Sequence, residues 1–321
     1  MLDAATCSRK GLCPVTKIRH QDTPLESHSL YFEQHGTGPE KIVFVMGLNG
    51  TFLSWINQVK HFGRSSRYSL LVFDNRGVGN STTPKGPYST SGMAEDVVVL
   101  LDYLGWTDAR SVHLVGISLG GMIAQELSAR IPERFISLTL AVTTPGGAFW
   151  NNIPPWFGFW SLLRLFLISD RVKKVPLLLE MVFSSDWLNA PAENDPQGRT
   201  NREVQRTQYE QRMTFVRPQQ PLGALSQMFA GLSHHVTAAR LRQIAASVPK
   251  ITIVTGDQDH LVAPANSKYL HENMPGSELV IWEGTGHGVQ IQRAELFNQL
   301  LERTFEEGRA KAAQEGSESE H

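Results

Sequence analysis

The stretch Ser111 to Leu127, SVHLVGISLGGMIAQEL, limits the possible folds more than any other part of the chain. Val112 to Ile117 is a short apolar run with β-branched residues, the pattern of a strand buried on both faces. Leu119 to Arg130 reads as a helix, with Met122, Ile123, Leu127 and Ala129 among its apolar positions. Between them lies Gly116-Ile117-Ser118-Leu119-Gly120. A strand that turns sharply into a helix strains and exposes the turn residue. Glycines two positions to either side remove the side chains that would collide there. The turn is expected to lift the Ser118 hydroxyl clear of the sheet. The helix N-terminus behind it favours developing negative charge. A glycine-rich turn that merely contains a serine is the plainer alternative, but the flanking strand and helix are the context the motif demands.

The same alternation of strand and helix runs along the rest of the chain. Ser29–Gln34, Ile42–Met46, Leu70–Phe73, Leu138–Val142, Ile251–Thr255 and Leu279–Trp282 read as strands, and Val15–Arg19 as a weak edge strand. Phe52–Phe62, a segment from Ser91 to Leu104, Ala265–Glu272 and Ala294–Phe305 read as helices. Ser91 is the candidate N-cap of the second of these, with Glu95 and Asp96 in its first turn. The rhythm stops at Thr144-Pro145-Gly146-Gly147. Residues 148–235 carry Trp150, Trp156, Phe157, Phe159, Trp160, Phe166, Phe183 and Trp187 and no clear strand. The expected fold is α/β: a mostly parallel, doubly wound sheet with an inserted helical cap. Its core comprises residues 1–145 and 237–307, the cap 146–236, and 308–321 a disordered tail. The cap's aromatic stripe is expected to be mostly core, with part of it roofing a pocket.

Composition narrows the partners. Thirty Lys and Arg against 31 Asp and Glu give a net charge of −1, so no basic field points to nucleic acid. Cys7 and Cys13 are too few for a disulfide framework or a zinc site, which suggests free thiols in a reducing, cytoplasmic setting. The first residues lack the apolar core of a signal peptide. Trp156–Ile168 is the greasiest run, but Arg164 interrupts it and it is too short to span a bilayer. Membrane contact through that run is an open alternative and not the expectation.

A lone serine hydroxyl is a poor nucleophile. It needs a base, a group to orient that base, and donors for the oxyanion. His287, in Gly284-Thr285-Gly286-His287-Gly288, follows the strand Leu279–Trp282 and is the candidate base. Gly256-Asp257-Gln258-Asp259-His260 follows the preceding strand. Asp259 is the preferred orienting acid, and Asp257 is the open alternative. The backbone N–H groups of Leu119 and Leu48 are the candidate oxyanion donors. Gly77-Val78-Gly79 lacks the third glycine and the helix of a dinucleotide loop, so no cofactor is expected. His234-His235 lacks partners at metal-ligand spacing and reads as a surface pair at the cap end. His113 reads as a satisfied core residue, and His260 as a loop neighbour of Asp259.

Taken together, Gly47-Leu48, Asp74-Asn75-Arg76-Gly77-Val78-Gly79-Asn80-Ser81, Gly116 to Gly120, Gly256 with Asp259, and Gly286-His287 resemble the α/β-hydrolase superfamily, on its branch of capped serine esterases and lipases. The order Ser, Asp, His is the one that superfamily uses. The resemblance covers about residues 28–305. It implies a cofactor-free hydrolase cleaving a carboxylic ester of a small or medium apolar molecule through an acyl-enzyme. Carbon–carbon bond hydrolases, lactonases and thioesterases share the pattern, as do ligand-binding proteins that have kept the fold. Many relatives carry histidine where this chain has Met46, so the hydrogen bonds that steady the oxyanion loop must come from elsewhere.

Overall fold

The computed structural model describes residues 2–15 and 27–319. Its strands are β1 (Cys7–Val15), β2 (His28–His35), β3 (Glu40–Val45), β4 (Tyr68–Phe73), β5 (Val112–Ile117), β6 (Phe135–Ala141), β7 (Lys250–Gly256) and β8 (Glu278–Trp282). Among the described residues they form one eight-stranded sheet in the order β1-β2-β4-β3-β5-β6-β7-β8. The pairs β1/β2 and β2/β4 are antiparallel, and every pair from β4 to β8 is parallel.

Parallel neighbours need crossover connections, and helices supply them. α1 (Ile56–Phe62), α2 (Thr90–Leu104) and α3 (Leu119–Arg130) link β3 through β6. Between β6 and β7 the chain runs through α4 (Trp156–Leu167), α5 (Arg171–Val182), α6 (Ser185–Asn189), α7 (Asn201–Phe215), α8 (Pro221–Leu232) and α9 (Ala238–Ser247). α10 (Ala265–Asn273), α11 (Val289–Gln292) and α12 (Ala294–Ser319) complete the chain.

Strand side chains alternate between two cores, as a period of two requires. Val43, Val45, Leu71, Phe73, Leu138 and Leu140 face the core built with α2, α3, α9 and α10. Ile42, Phe44, Leu70, Val72, Val115 and Ile117 face the opposite core, built with α1 and α12. The fully buried Phe305 of α12 packs on Phe62, Tyr68 and His113. Truncating such a ring to alanine costs about 3–5 kcal/mol. No helix among the described residues is long and apolar enough to cross a membrane.

Four expectations change. Ser89, not Ser91, caps α2, its Oγ accepting from the N–H of Gly92 at 3.0 Å. Ser91 Oγ instead accepts from Arg130. Glu95 and Asp96 lie beyond the first turn and are buried; Glu95 pairs with Arg130, and Asp96 with Arg76 and His28. The segment from 308 is helical through Ser319 as the end of α12, where a disordered tail was expected. Trp150, Trp156, Phe157, Phe159 and Trp160 stand exposed, whereas Phe183 is buried, so the aromatic stripe is largely on the surface. The expected edge strand Val15–Arg19 lies outside the described residues apart from Val15, the last residue of β1.

Candidate active site

Ser118 sits between β5 and α3 with φ 56° and ψ −123°, in the left-handed half of conformational space that non-glycine residues rarely occupy. Its backbone is held from several sides. The Ser118 N–H donates to the Ala141 carbonyl at 2.9 Å. Its carbonyl accepts from Gly121, Met122 and the Thr143 hydroxyl. The flanking glycines are close-approach points: a Cβ on Gly116 would lie 2.4 Å from the Gly120 carbonyl oxygen, and a Cβ on Gly120 would lie 2.1 Å from that of Val45. β3, β5 and α3 therefore meet with no room for a methyl group.

The other candidates lie in loops at the C-terminal ends of the strands. His287 follows β8, and its Nδ1 lies 2.7 Å from Asp259 Oδ2. Both residues are buried. The second oxygen of Asp259 accepts the N–H groups of Leu261 and Val262 at 2.8 and 2.9 Å. That carboxylate is thus fixed with one oxygen turned to the imidazole. Asp257 is exposed and does a different job, accepting the Thr285 N–H at 3.2 Å and so tethering the loop that carries His287. His260 is exposed and packs its ring 5.1 Å from that of Phe157 on α4.

A Cβ on Gly47 would lie 2.9 Å from Ser118 Cβ, so the loop after β3 abuts the serine side chain. Leu48 follows in that loop, and its N–H has no hydrogen-bond partner among the described residues. Leu119 opens α3, where an N–H has no intrahelical acceptor.

The bonds that steady this loop come from Asn75, Gln227 and Gln219. Asn75 Nδ2 donates to the Met46 carbonyl at 2.9 Å. Gln227 of α8 accepts the Asn49 N–H at 2.9 Å and donates to the Arg76 carbonyl at 2.7 Å. Gln219 donates to Asn49 Oδ1. Asn75 stands in a motif already singled out. Gln227 is far along the chain, and no local pattern marks it.

Two further histidines prove to be core residues. His113 Nδ1 lies 2.8 Å from Ser137 Oγ, and burial lowers its pKa. His234 is buried, contrary to the surface pair expected, with Nδ1 2.9 Å from Thr90 Oγ1; burial pushes its pKa down to about 4. His235 beside it is exposed.

RutD of Caulobacter segnis, provisionally named a carbamate hydrolase, is 27% identical over 278 residues, covering 84% of this chain and 94% of RutD. A poly(3-hydroxyalkanoate) depolymerase from Ectopseudomonas oleovorans is 27% identical over 244 residues, covering 76% of this chain and 77% of its own. The structure of a thermophilic esterase from Thermogutta terrifontis superposes with a TM-score of 0.71 at 19% identity, over 94% of this chain and 99% of that one. A family model described as the alpha/beta hydrolase fold matches residues 41–294, and the chain belongs to that family.

Proposed function

We propose that this hydrolase of the α/β family is a serine esterase of its capped branch. Its substrate would be a carboxylic ester of a small or medium apolar molecule. The observation that carries the reading is the 2.7 Å contact of His287 Nδ1 with Asp259 Oδ2, taken with a serine held in the strained elbow after β5. In this mechanism His287 takes the Ser118 proton as Oγ attacks the carbonyl carbon. Asp259 holds the imidazole tautomer and stabilises the imidazolium. The N–H groups of Leu119 and Leu48 receive the oxyanion, which is where preorganised donors contribute most. His287 then protonates the departing alcohol and later activates the water that releases the acid. The helices of segment 146–236 serve as the cap over this centre.

The names of the relatives support hydrolysis as the reaction class, and the depolymerase among them supports an ester bond. The test is hydrolysis of p-nitrophenyl esters from acetate to long acyl chains by wild type and Ser118→Ala. Wild type turns over, and the variant loses roughly 10³-fold or more in kcat. A variant within about tenfold of wild type would remove Ser118 from the mechanism. Wild type inert toward every ester would remove the ester reading.

A further inference from the structure

We propose that the outer face of α4 docks onto an anionic lipid surface. The helix buries Leu165 against α5 and still presents a broad apolar face outward. Trp156, Trp160, Leu163 and Leu167 share one face at helical spacing, and they are exposed by 74%, 43%, 42% and 74%. The opposite face carries Gly158, Ser161 and Leu165, which are buried. Contiguous exposed apolar surface of this kind marks an interaction site rather than solvent-facing chance.

The charge around the face selects the partner. From residue 149 to 179 the chain has Arg164, Arg171, Lys173 and Lys174 but a single acid, Asp170. That acid is spent on the N-terminus of α5, where it accepts the N–H groups of Val172 and Lys173. None of the four bases is in an ion pair with a described residue. Aromatic and leucine side chains flanked by Lys and Arg are the composition that settles at an anionic bilayer surface. A second copy docking by the same face would set these bases against themselves, since a twofold contact pairs each patch with its own copy.

The inner face of the same helix packs on a loop of the candidate active site. A Cβ on Gly158 would lie 2.0 Å from the carbonyl oxygen of His260, the residue after Asp259. α4 thus rests directly on the loop that carries Asp259. Docking does not depend on the chemistry proposed for the site.

The experiment is flotation of the full-length protein with vesicles of phosphatidylcholine alone and with about one third phosphatidylglycerol, followed by tryptophan emission. The wild type is expected to float with the anionic vesicles with a blue-shifted emission, and to be released by raised salt. Trp156→Ala with Trp160→Ala, and separately Lys173→Glu with Lys174→Glu, are expected to lower partitioning at least roughly tenfold with unchanged thermal unfolding. No flotation with anionic vesicles overturns the proposal. So does unchanged partitioning of the tryptophan variant, or a dimer in sedimentation velocity that this variant splits.

Discussion

Gln227 and Asn49 are joined by a 2.9 Å hydrogen bond across 178 residues of chain, the Asn49 N–H donating to the Gln227 side-chain oxygen. Asn49 has φ 56°, so this acceptor holds a strained turn directly after Leu48. The same glutamine donates to the Arg76 carbonyl, and it is fully buried. Met46 stands before Gly47, and a helix between β6 and β7 joins Asn75 in holding this loop.

Gln227→Leu removes both bonds. The expected result is a fall in kcat of roughly 10- to 100-fold with KM changed much less, because a displaced oxyanion donor costs transition-state binding. Gln227→Glu keeps an acceptor for Asn49 and should recover part of the loss. Steady-state kinetics on an ester that the wild type hydrolyses decides this; equal kcat for all three proteins removes the link between α8 and the oxyanion loop.

The two carboxylates of the loop after β7 are separable. Asp259→Asn is expected to lower kcat by roughly 10³- to 10⁴-fold, since an amide cannot hold the same imidazole tautomer. Asp257→Asn, which disturbs only the tether to Thr285, should stay within about tenfold. The reverse ranking in parallel assays would exchange their roles.

Gly120→Ala tests the packing of the elbow. The added Cβ would meet the Val45 carbonyl oxygen at 2.1 Å, a backbone atom that cannot swing aside. A loss of about 2–3 kcal/mol or more in urea unfolding is expected. A change below about 0.5 kcal/mol would show that α3 can shift away from β3 at little cost.

His234 makes stability fall in mild acid. Its pKa is about 4 in the folded protein against 6.5 for the free side chain. Below pH 6.5 the unfolded chain takes a proton that the folded one refuses. The contribution is complete above that pH and declines toward pH 4, by up to about 3 kcal/mol. Asp74 acts the other way: burial raises it to about 7 from 3.8, so its folded form holds a proton that the unfolded chain gives up as pH rises between those values. The wild-type profile combines both effects. The difference between wild type and His234→Gln isolates the first, and it should narrow by about 1 kcal/mol per pH unit on acidification from pH 6 to 5. A constant difference in urea unfolding over that range would show that His234 is protonated when folded.

What the sequence disclosed was whatever local physics sets. Val112 to Arg130 reads correctly because a buried strand, a glycine-relieved turn and a helix each leave a short-range pattern. His287 and Asp259 are singled out as candidates by their place after strands, and they meet at hydrogen-bond distance. Ser89, Thr90 and Ser91 are adjacent and all can cap, so the choice fell to Arg130, which takes the Ser91 hydroxyl. Trp156–Leu167 is apolar almost all round, and periodicity cannot say which side of such a helix faces water. His234 is buried by chain far from it in sequence, with Thr90 its partner, and Gln227 reaches Asn49 over a similar separation. Contacts of that range leave no trace in any window of sequence.

The first edge of the sheet carries its own obstacle to strand addition. Among the described residues β1 ends the strand order, so none of them pairs with its outer side in the sheet. Arg9, Lys10 and Pro14 are exposed along that strand. Another chain seeking to add a ninth strand would meet two cations and a residue with no N–H to offer. At this edge, charge and a missing donor oppose the backbone pairing by which one sheet would extend into another.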